Sequence, residues 1–143
     1  MSRAAELSGT IEVCLGEISP SAGYHTEVRG VYGVGKVKPD KAGLPCIVVH
    51  LAEDEGSDRV GPTVKRVATY QIEAVFPRTA TLQDMQLAHH DILRSLGYGQ
   101  NLPDRPLKPG WIGEETAVFD LAEDGGGHRR AIATISIQYV EQY

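Results

Sequence analysis

The sequence has few cysteines and aromatic residues, and its charged residues carry no basic excess. Two cysteines, one tryptophan and two phenylalanines occur among 143 residues, and the formal net charge is −5 at pH 7. A chain with this charge is not expected to hold nucleic acid through phosphate contacts. It also lacks the polybasic cluster that attaches proteins to anionic lipid. We therefore expect neither specific nucleic-acid binding nor association with a membrane.

Long hydrophobic runs are also missing. No run approaches the ~18–20 apolar residues that cross a bilayer. Residues 1–6 begin an amphipathic pattern that contains an acid, which is not typical of a secretory signal. We therefore predict a cytoplasmic protein in which Cys14 and Cys46 are reduced, buried thiols, with a disulfide between them as the minor alternative.

The length and composition predict one globular domain spanning residues 1–143. Apolar residues make up 41% of the chain and charged residues 23%, close to the averages for globular proteins. A chain of this size buries enough surface to be stabilised by a single core.

Two segments have the spacing of amphipathic helices, with apolar residues three and four positions apart. The first stripe comprises Ala4, Leu7, Ile11, Cys14, Leu15 and Ile18, and the second comprises Leu82, Met85, Ala88, Ile92 and Leu96. Thr81 to Asp84 form a start of the capping-box type for the second helix, and Gly97 is a stop signal.

Five segments are predicted to be strands: residues 24–34, 44–51, 64–76, 116–121 and 129–140. An acidic loop is expected at 53–58, between the second and third strands. Residues 68–76 alternate between apolar and polar side chains, as do residues 131–139, so each strand has one wet face. This pattern predicts an α+β fold, with a mostly antiparallel (mixed) sheet of about four to five strands and two main helices packed on one face.

The adjacent pair His89–His90 is the first candidate for a metal site. Neighbouring helical residues project about 100° apart, so adjacent histidines do not readily share one ion. The H-E-x-x-H spacing of zinc helices is absent. We expect one histidine to border the core and the other to be solvated, although His50, His128 or Glu114 could in principle supply further ligands.

Other catalytic patterns are also missing from the sequence. The segment Gly33 to Lys36 lacks the glycine spacing and the hydroxyl residue of a phosphate-binding loop, so we interpret it as a flexible basic hairpin tip. There is no G-x-S-x-G nucleophile elbow, and burial would raise rather than lower the pKa of either thiol. The carboxylate pairs lie in glycine-rich or loop-edge segments typical of solvated surface. We predict no enzymatic activity, no catalytic residues, no cofactor and no bound metal.

Several segments together resemble the tail terminator, or tail completion, proteins of tailed bacteriophages and prophages. They are the amphipathic N-terminal helix, the sequence AGYHTEV at 22–28, the strand LPCIVV at 44–49, the strand RVATYQIEA at 66–74 and the closing strand AIATISIQY at 131–139. The resemblance covers nearly the whole chain as an order of elements. It implies a non-enzymatic subunit without a cofactor, present in the host cytoplasm during assembly and in the virion tail afterwards.

The resemblance also implies partners. Subunits of this family close into a ring, usually a hexamer, that caps the tail-tube protein, stops its polymerisation and offers its other face to the head–tail connector protein. Six copies at −5 would give an acidic ring, which we expect to repel DNA weakly rather than retain it.

Candidate contact residues follow from charge. The lysines Lys36, Lys38 and Lys41 form a basic arm, and the acids Glu53, Asp54, Glu55 and Asp58 lie in the predicted loop. They could meet between neighbouring subunits as a head-to-tail contact, or remain exposed charges that contribute little. Trp111, in a long connection from 98 to 113, is either a core residue or an interface anchor.

Two alternatives remain open. The chain could be another head–tail joining or tail-assembly protein of similar plan. It could also be a small enzyme or ligand-binding domain that places a metal among His89, His90 and Glu114.

Overall fold

The computed structural model describes residues 2–98, 112–122 and 127–143. Two α-helices are present, α1 (Arg3–Gly16) and α2 (Leu82–Leu96), and a short 3-10 helix follows α1 at Pro20–Ala22. The strands are β1 (Val31–Tyr32), β2 (Cys46–Val60), β3 (Thr63–Phe76), β4 (Ile112–Asp120) and β5 (Arg129–Gln142).

The five strands form one sheet in the order β1-β2-β3-β5-β4. The short β1 runs parallel to β2, and all other neighbours are antiparallel. Buried residues of both helices belong to the same apolar cluster as one face of β3 and β5. The predicted α+β class, the mixed sheet and the placement of both helices on one face are therefore confirmed.

Helix α1 begins where its free amides find side-chain acceptors. The Ser2 hydroxyl accepts from the amide of Ala5, and the buried Glu141 of β5 accepts from the amides of Arg3 and Ala4. The first amides of a helix have no partner within it, so these contacts fix its start against the sheet.

Helix α2 has the start and end that the sequence predicts. Thr81 and Asp84 exchange hydrogen bonds in a capping box, and Gly97 ends the helix in the left-handed conformation (φ 87°). Met85, Ala88, Ile92 and Leu96 are buried, but Leu82 is 42% exposed, so its place in the predicted apolar stripe is wrong. It lies in the first turn, at the border of the core. Asp91 and Ser95 share the buried face.

The predicted first strand at 24–34 is mostly wrong, because only Val31 and Tyr32 join the sheet. The amides that precede them have other acceptors. The Val28 amide donates to the Ile18 carbonyl, and the Arg29 amide donates to the Pro45 carbonyl. The segment is held by these separate bonds rather than by a strand ladder.

The predicted acidic loop at 53–58 is also wrong. Strand β2 continues through these residues to Val60, and a turn with Gly61 at φ 59° leads directly into β3. Irregular register occurs between Leu51 and Glu53 and again between Gly56 and Arg59. Bulges allow a strand to carry acids and a glycine without losing its partner, because the ladder resumes after each irregularity. The acids therefore lie on a paired strand.

The last two strands are close to their predicted limits. Strand β4 begins at Ile112 and ends at Asp120, so two residues assigned to the connection at 98–113 belong to the sheet. Strand β5 extends two residues beyond its predicted end. Trp111, most of the connection and residues 123–126 of the predicted turn lie outside the described residues.

The sheet separates two apolar clusters. The main core lies between the helices and the sheet and contains Cys14. The smaller cluster lies on the opposite face, where Tyr32, Ala42 and Leu44 pack against Cys46, Val48 and Val75. Neither thiol forms a disulfide, and both are buried as predicted. Within the described ranges, none of the helices has the length and apolar character needed to span a bilayer.

Candidate functional site

The buried carboxylate of Asp91 binds the segment that follows the 3-10 helix. Asp91 is 0% exposed, and its Oδ2 accepts from the backbone amides of His25 at 2.9 Å and Thr26 at 2.8 Å. Its Oδ1 lies 3.1 Å from Nδ1 of His25. A buried charge is tolerated when hydrogen bonds surround it, so these three contacts allow an acid on the core face of α2.

Arg94, one turn after Asp91, binds the same segment. Its Nη1 donates to the carbonyl of Gly23 at 2.8 Å, and its guanidinium carbon lies 4.8 Å from the centre of the Tyr24 ring. Gly23 has φ 91°, a conformation that glycine adopts without strain. Together, Asp91 and Arg94 hold the residues of the AGYHTEV sequence against α2.

His25 and His90 are side by side at this position. Their ring centres are 5.9 Å apart with the planes at 60°. His25, His90 and Asp91 each offer one possible ligand atom, and these atoms all lie within 4.8 Å of one another. Because Asp91 contacts Nδ1 of His25, Nε2 lies on the far side of that ring, and the His25 side chain is 52% exposed.

His89 points elsewhere. Its Nε2 lies 2.5 Å from Oε2 of Glu114 on β4, and its ring meets Phe119 edge to face at 5.8 Å. The possible metal set of His89, His90 and Glu114 is therefore wrong, because the two histidines lie against different elements. The expected split between one histidine that borders the core and one that is exposed is confirmed. His50 and His128 are both exposed, and Nε2 of His50 lies 3.5 Å from Glu73.

A cleft of about 310 Å³ lies beside the AGYHTEV segment that Asp91 and Arg94 hold against α2. His25 and Thr26 form one side of it, and the turn between β3 and α2 contributes Pro77 and Thr79. Asp84 also lines the cleft, and its carboxylate accepts from the Thr81 amide in the capping box. The cleft is therefore a groove between two turns, bordered by one imidazole.

Asp54, one of the four acids predicted to contact a neighbour, is bound within its own chain. Its Oδ1 accepts from Nε of Arg66 at 2.7 Å, and its Oδ2 accepts from the Tyr139 hydroxyl. Both carboxylate oxygens of Asp54 therefore have partners within the chain, and its contact with a neighbouring subunit stays a prediction. Burial, followed by the hydrogen bond to Asp54 and its negative charge, raises the pKa of Tyr139 above the ordinary phenol value. The hydrogen bond to Asp54 likewise raises the pKa of the Arg66 guanidinium.

Glu53, Glu55 and Asp58 are exposed, as a contact role would require. Glu53 pairs with Thr69 and Glu55 pairs with Val67, which places both acids on the face opposite the helices. Arg59 and Lys65 lie nearby on the same hairpin, so the end of the hairpin carries both signs of charge.

The basic segment 33–43 contains three lysines with different surroundings. Lys36 forms an ion pair with Glu12 of α1, which offsets its charge within the chain. The ammonium of Lys38 lies 3.5 Å from the Pro39 carbonyl, and Lys41 is exposed. Burial raises the pKa of the Cys46 thiol, and the charge of Lys38 opposes that rise. A turn is present at Gly33 to Lys36, but the predicted hairpin tip is wrong, because β1 runs parallel to β2.

The face of the sheet opposite the helices is open beyond the smaller apolar cluster. Thr116, Gln71 and Gln138 are exposed there, and Val118 is 52% exposed. Glu73 lies between two basic side chains on this face, 2.9 Å from Nε of Arg130 and 3.5 Å from Nε2 of His50. The outer edge of β2 is also open, because β1 pairs with Ile47 and Val48, and no other described strand pairs with that side.

The sequence reasoning missed His25, Asp91 and Arg94. One signal was available for Asp91: it lies three residues after Ala88 and one before Ile92, on the apolar stripe of α2. A carboxylate at such a position indicates a buried partner. His25 carried no such signal, because its partners lie 65 and more residues away.

A scan of protein-family models finds no match to this chain, and a search of curated proteins also finds no match.

Proposed function

We propose that the chain is a virion structural protein of the tail-terminator type, which acts by docking copies of itself and a tube end. The observation that carries the proposal is the sheet with one covered and one open face. Both helices lie on one side of the sheet. The other side presents side chains to the exterior, and the outer edge of β2 presents unpaired backbone groups. Edges of this kind are templates for contact with another chain.

The distribution of charge along β2 supports a head-to-tail contact. The segment with Lys38 and Lys41 precedes the start of β2 at Cys46, whereas Glu55 lies nine residues beyond Cys46 on the same face. At about 3.3 Å per residue, Cys46 and Glu55 are about 30 Å apart, so the acids lie far along the strand from its start. Contacts between two different patches of identical subunits generate rings when the rotation closes.

The ring is proposed to be a hexamer that binds the tail tube protein on one face and the head–tail connector on the other. These partners rest on the sequence resemblance to the tail-terminator family and on the absence from the sequence of a catalytic pattern. Sedimentation of purified protein, free and mixed with tail-tube subunits, tests the assembly. We expect a species of six times 15.5 kDa. Monomer alone under both conditions would contradict the proposal.

A second measurement separates a terminator from another head–tail joining protein. A terminator added to polymerising tail-tube subunits should shorten the tubes and appear at one end of each tube in negative stain. A joining protein would leave the length distribution unchanged.

The charged contact has its own test. Lys38→Glu with Lys41→Glu should slow or abolish ring formation at low salt, because like charges would then face Glu53 and Glu55. Adding Glu53→Lys and Glu55→Lys to the same chain should restore assembly. Arg78→Glu, at an exposed cation between β3 and α2, is the matched control and should assemble normally. If Lys38→Glu with Lys41→Glu assembled normally, the charged contact would be ruled out. The proposal of a ring would still be tested by sedimentation.

The acidic-ring expectation is tested separately. With a formal charge of −5 per chain, the assembled protein should pass through a DNA column at physiological salt. Retention on that column would contradict the idea of a conduit that does not hold DNA.

A further inference from the structure

We propose that His25 and His90 form a binding site for a divalent transition metal ion of the zinc class, with Asp91 as the carboxylate that orients His25. The site is independent of the proposed tail function. It lies where the AGYHTEV segment meets α2, and two residues distant in sequence bring their imidazoles together there.

The first argument is the arrangement of the two rings. Imidazole nitrogens bind Zn²⁺ at about 2.0–2.1 Å, so two ligand rings must stand side by side with their centres a few ångströms apart. The 5.9 Å between the centres of His25 and His90 allows one ion to lie between them after small side-chain rotations. Both side chains are exposed, so an ion can enter from solvent and water can complete its coordination.

The second argument is the environment of His25. Histidines that bind metal usually donate their other ring N–H to a carboxylate, which fixes the tautomer and makes the ligand nitrogen more basic. Oδ1 of the fully buried Asp91 lies 3.1 Å from Nδ1 of His25, while Oδ2 is held by the amides of His25 and Thr26. The carboxylate is therefore fixed in place, and its contact with Nδ1 leaves Nε2 of His25 available to bind an ion.

The third argument is charge. The closest described cation on α2 is Arg94, one turn from His90, and its guanidinium donates to the Gly23 carbonyl and covers the Tyr24 ring. The negative charge of Asp91 offsets this positive charge at the site, because the carboxylate contacts His25 directly and the three potential ligand atoms lie within 4.8 Å of one another.

An ion bound here would tie the segment 23–26 to α2 and stabilise the folded chain. Binding to the folded state alone raises stability with metal concentration.

Titration calorimetry of the full chain, without an affinity tag, tests the site with zinc chloride as the probe. We expect one ion per chain, together with a higher melting temperature in the presence of zinc. His25→Gln and His90→Gln should each abolish both effects. Asp91→Asn, which can still accept from the two amides, should weaken binding about 10–100-fold.

The other histidines provide matched controls. His89→Gln alters the neighbouring helical residue, and His50→Gln and His128→Gln alter exposed histidines elsewhere. All three should bind zinc like the parent chain. The proposal is overturned if the parent chain binds no stoichiometric zinc, if binding survives both His25→Gln and His90→Gln, or if a control variant loses it equally.

Discussion

The two faces of the sheet differ in what covers them and in what their residues do. On the covered face, Tyr70, Ile72 and Ile135 are buried beneath the helices. On the open face of the same strands, Gln71 and Gln138 are exposed and Glu73 is held between Arg130 and His50. Successive residues of a strand point to opposite sides, so one strand supplies both environments. One face stabilises the fold, and the other is available for contacts.

The largest expected effect comes from truncating the covered face. Ile72→Ala removes a side chain that is 0% exposed, and we expect a loss of about 2–5 kcal/mol in the free energy of unfolding. Gln71→Ala, at the adjacent position on the open face, should change it by less than about 0.5 kcal/mol. Urea denaturation of both variants measures the difference. Equal losses would contradict the division between the faces.

Asp91 tests whether a charge can be part of the covered face. Asp91→Ala leaves the amides of His25 and Thr26 without their acceptor, and hydrogen bonds to charged groups contribute about 1.5–3 kcal/mol. We expect a loss of that order in urea denaturation, with a smaller loss for Asp91→Asn. Glu27→Ala, an exposed acid on the same segment, is the control and should be nearly neutral. If Asp91→Ala left the free energy of unfolding unchanged, the contacts of Asp91 with His25 and Thr26 would not stabilise the fold.

The capping box of α2 is the next smaller effect. Thr81→Ala removes the hydroxyl that accepts from the Asp84 amide, and a lost N-cap costs about 1 kcal/mol. Because α2 covers the sheet, this loss should appear in global unfolding rather than in local fraying alone. Thr79→Ala, in the turn just before the helix, removes a hydroxyl outside the capping box and should cost less. Calorimetric melting of the two variants compares them.

An effect of about the same size at neutral pH is expected at Tyr139, whose hydroxyl donates to Asp54 on the covered side of the sheet. Tyr139→Phe should cost about 1 kcal/mol. The pKa of Tyr139 is raised in the folded chain, so the folded state resists its ionisation. This contribution is fully present below the unfolded pKa of about 10 and is lost as the pH rises through the folded value.

Tyr139→Phe should therefore lose stability less steeply than the parent chain above about pH 10. Urea denaturation from pH 8 upwards measures the slope. Tyr143→Phe, at a tyrosine that is 74% exposed, is the control and should keep the parent slope. An unchanged slope in Tyr139→Phe would show that the pKa of this tyrosine does not differ between the folded and unfolded chain.

The sequence was most informative where local rules decide structure. The capping box at Thr81, the stop at Gly97 and the alternation along β3 and β5 depend on neighbouring residues, and all are present as predicted. The acidic segment of β2 was mistaken for a loop because charge and glycine are common in turns. The pairing of β2 with β3 at 12 positions outweighs that local preference.

The candidate metal site was not visible in the sequence for a different reason. The sequence indicated His89 and His90 as an adjacent pair, whereas in the folded helix their side chains contact different elements. His25 was assigned to a strand, yet its amide binds Asp91, which is 66 residues away. Contacts between residues this far apart in the sequence depend on how the segment after α1 packs. The spacing of neighbouring residues does not predict that packing.

The sequence alone thus determined the α+β class, the two helices and the face that β3 and β5 bury, because apolar periodicity and capping act within a few residues. The tertiary structure decided that β2 extends through its acids, that Asp54 is occupied by Arg66 and Tyr139, and that His25 meets His90. The physical reason is that burial and pairing depend on partners brought together by folding, and these partners are distant along the chain.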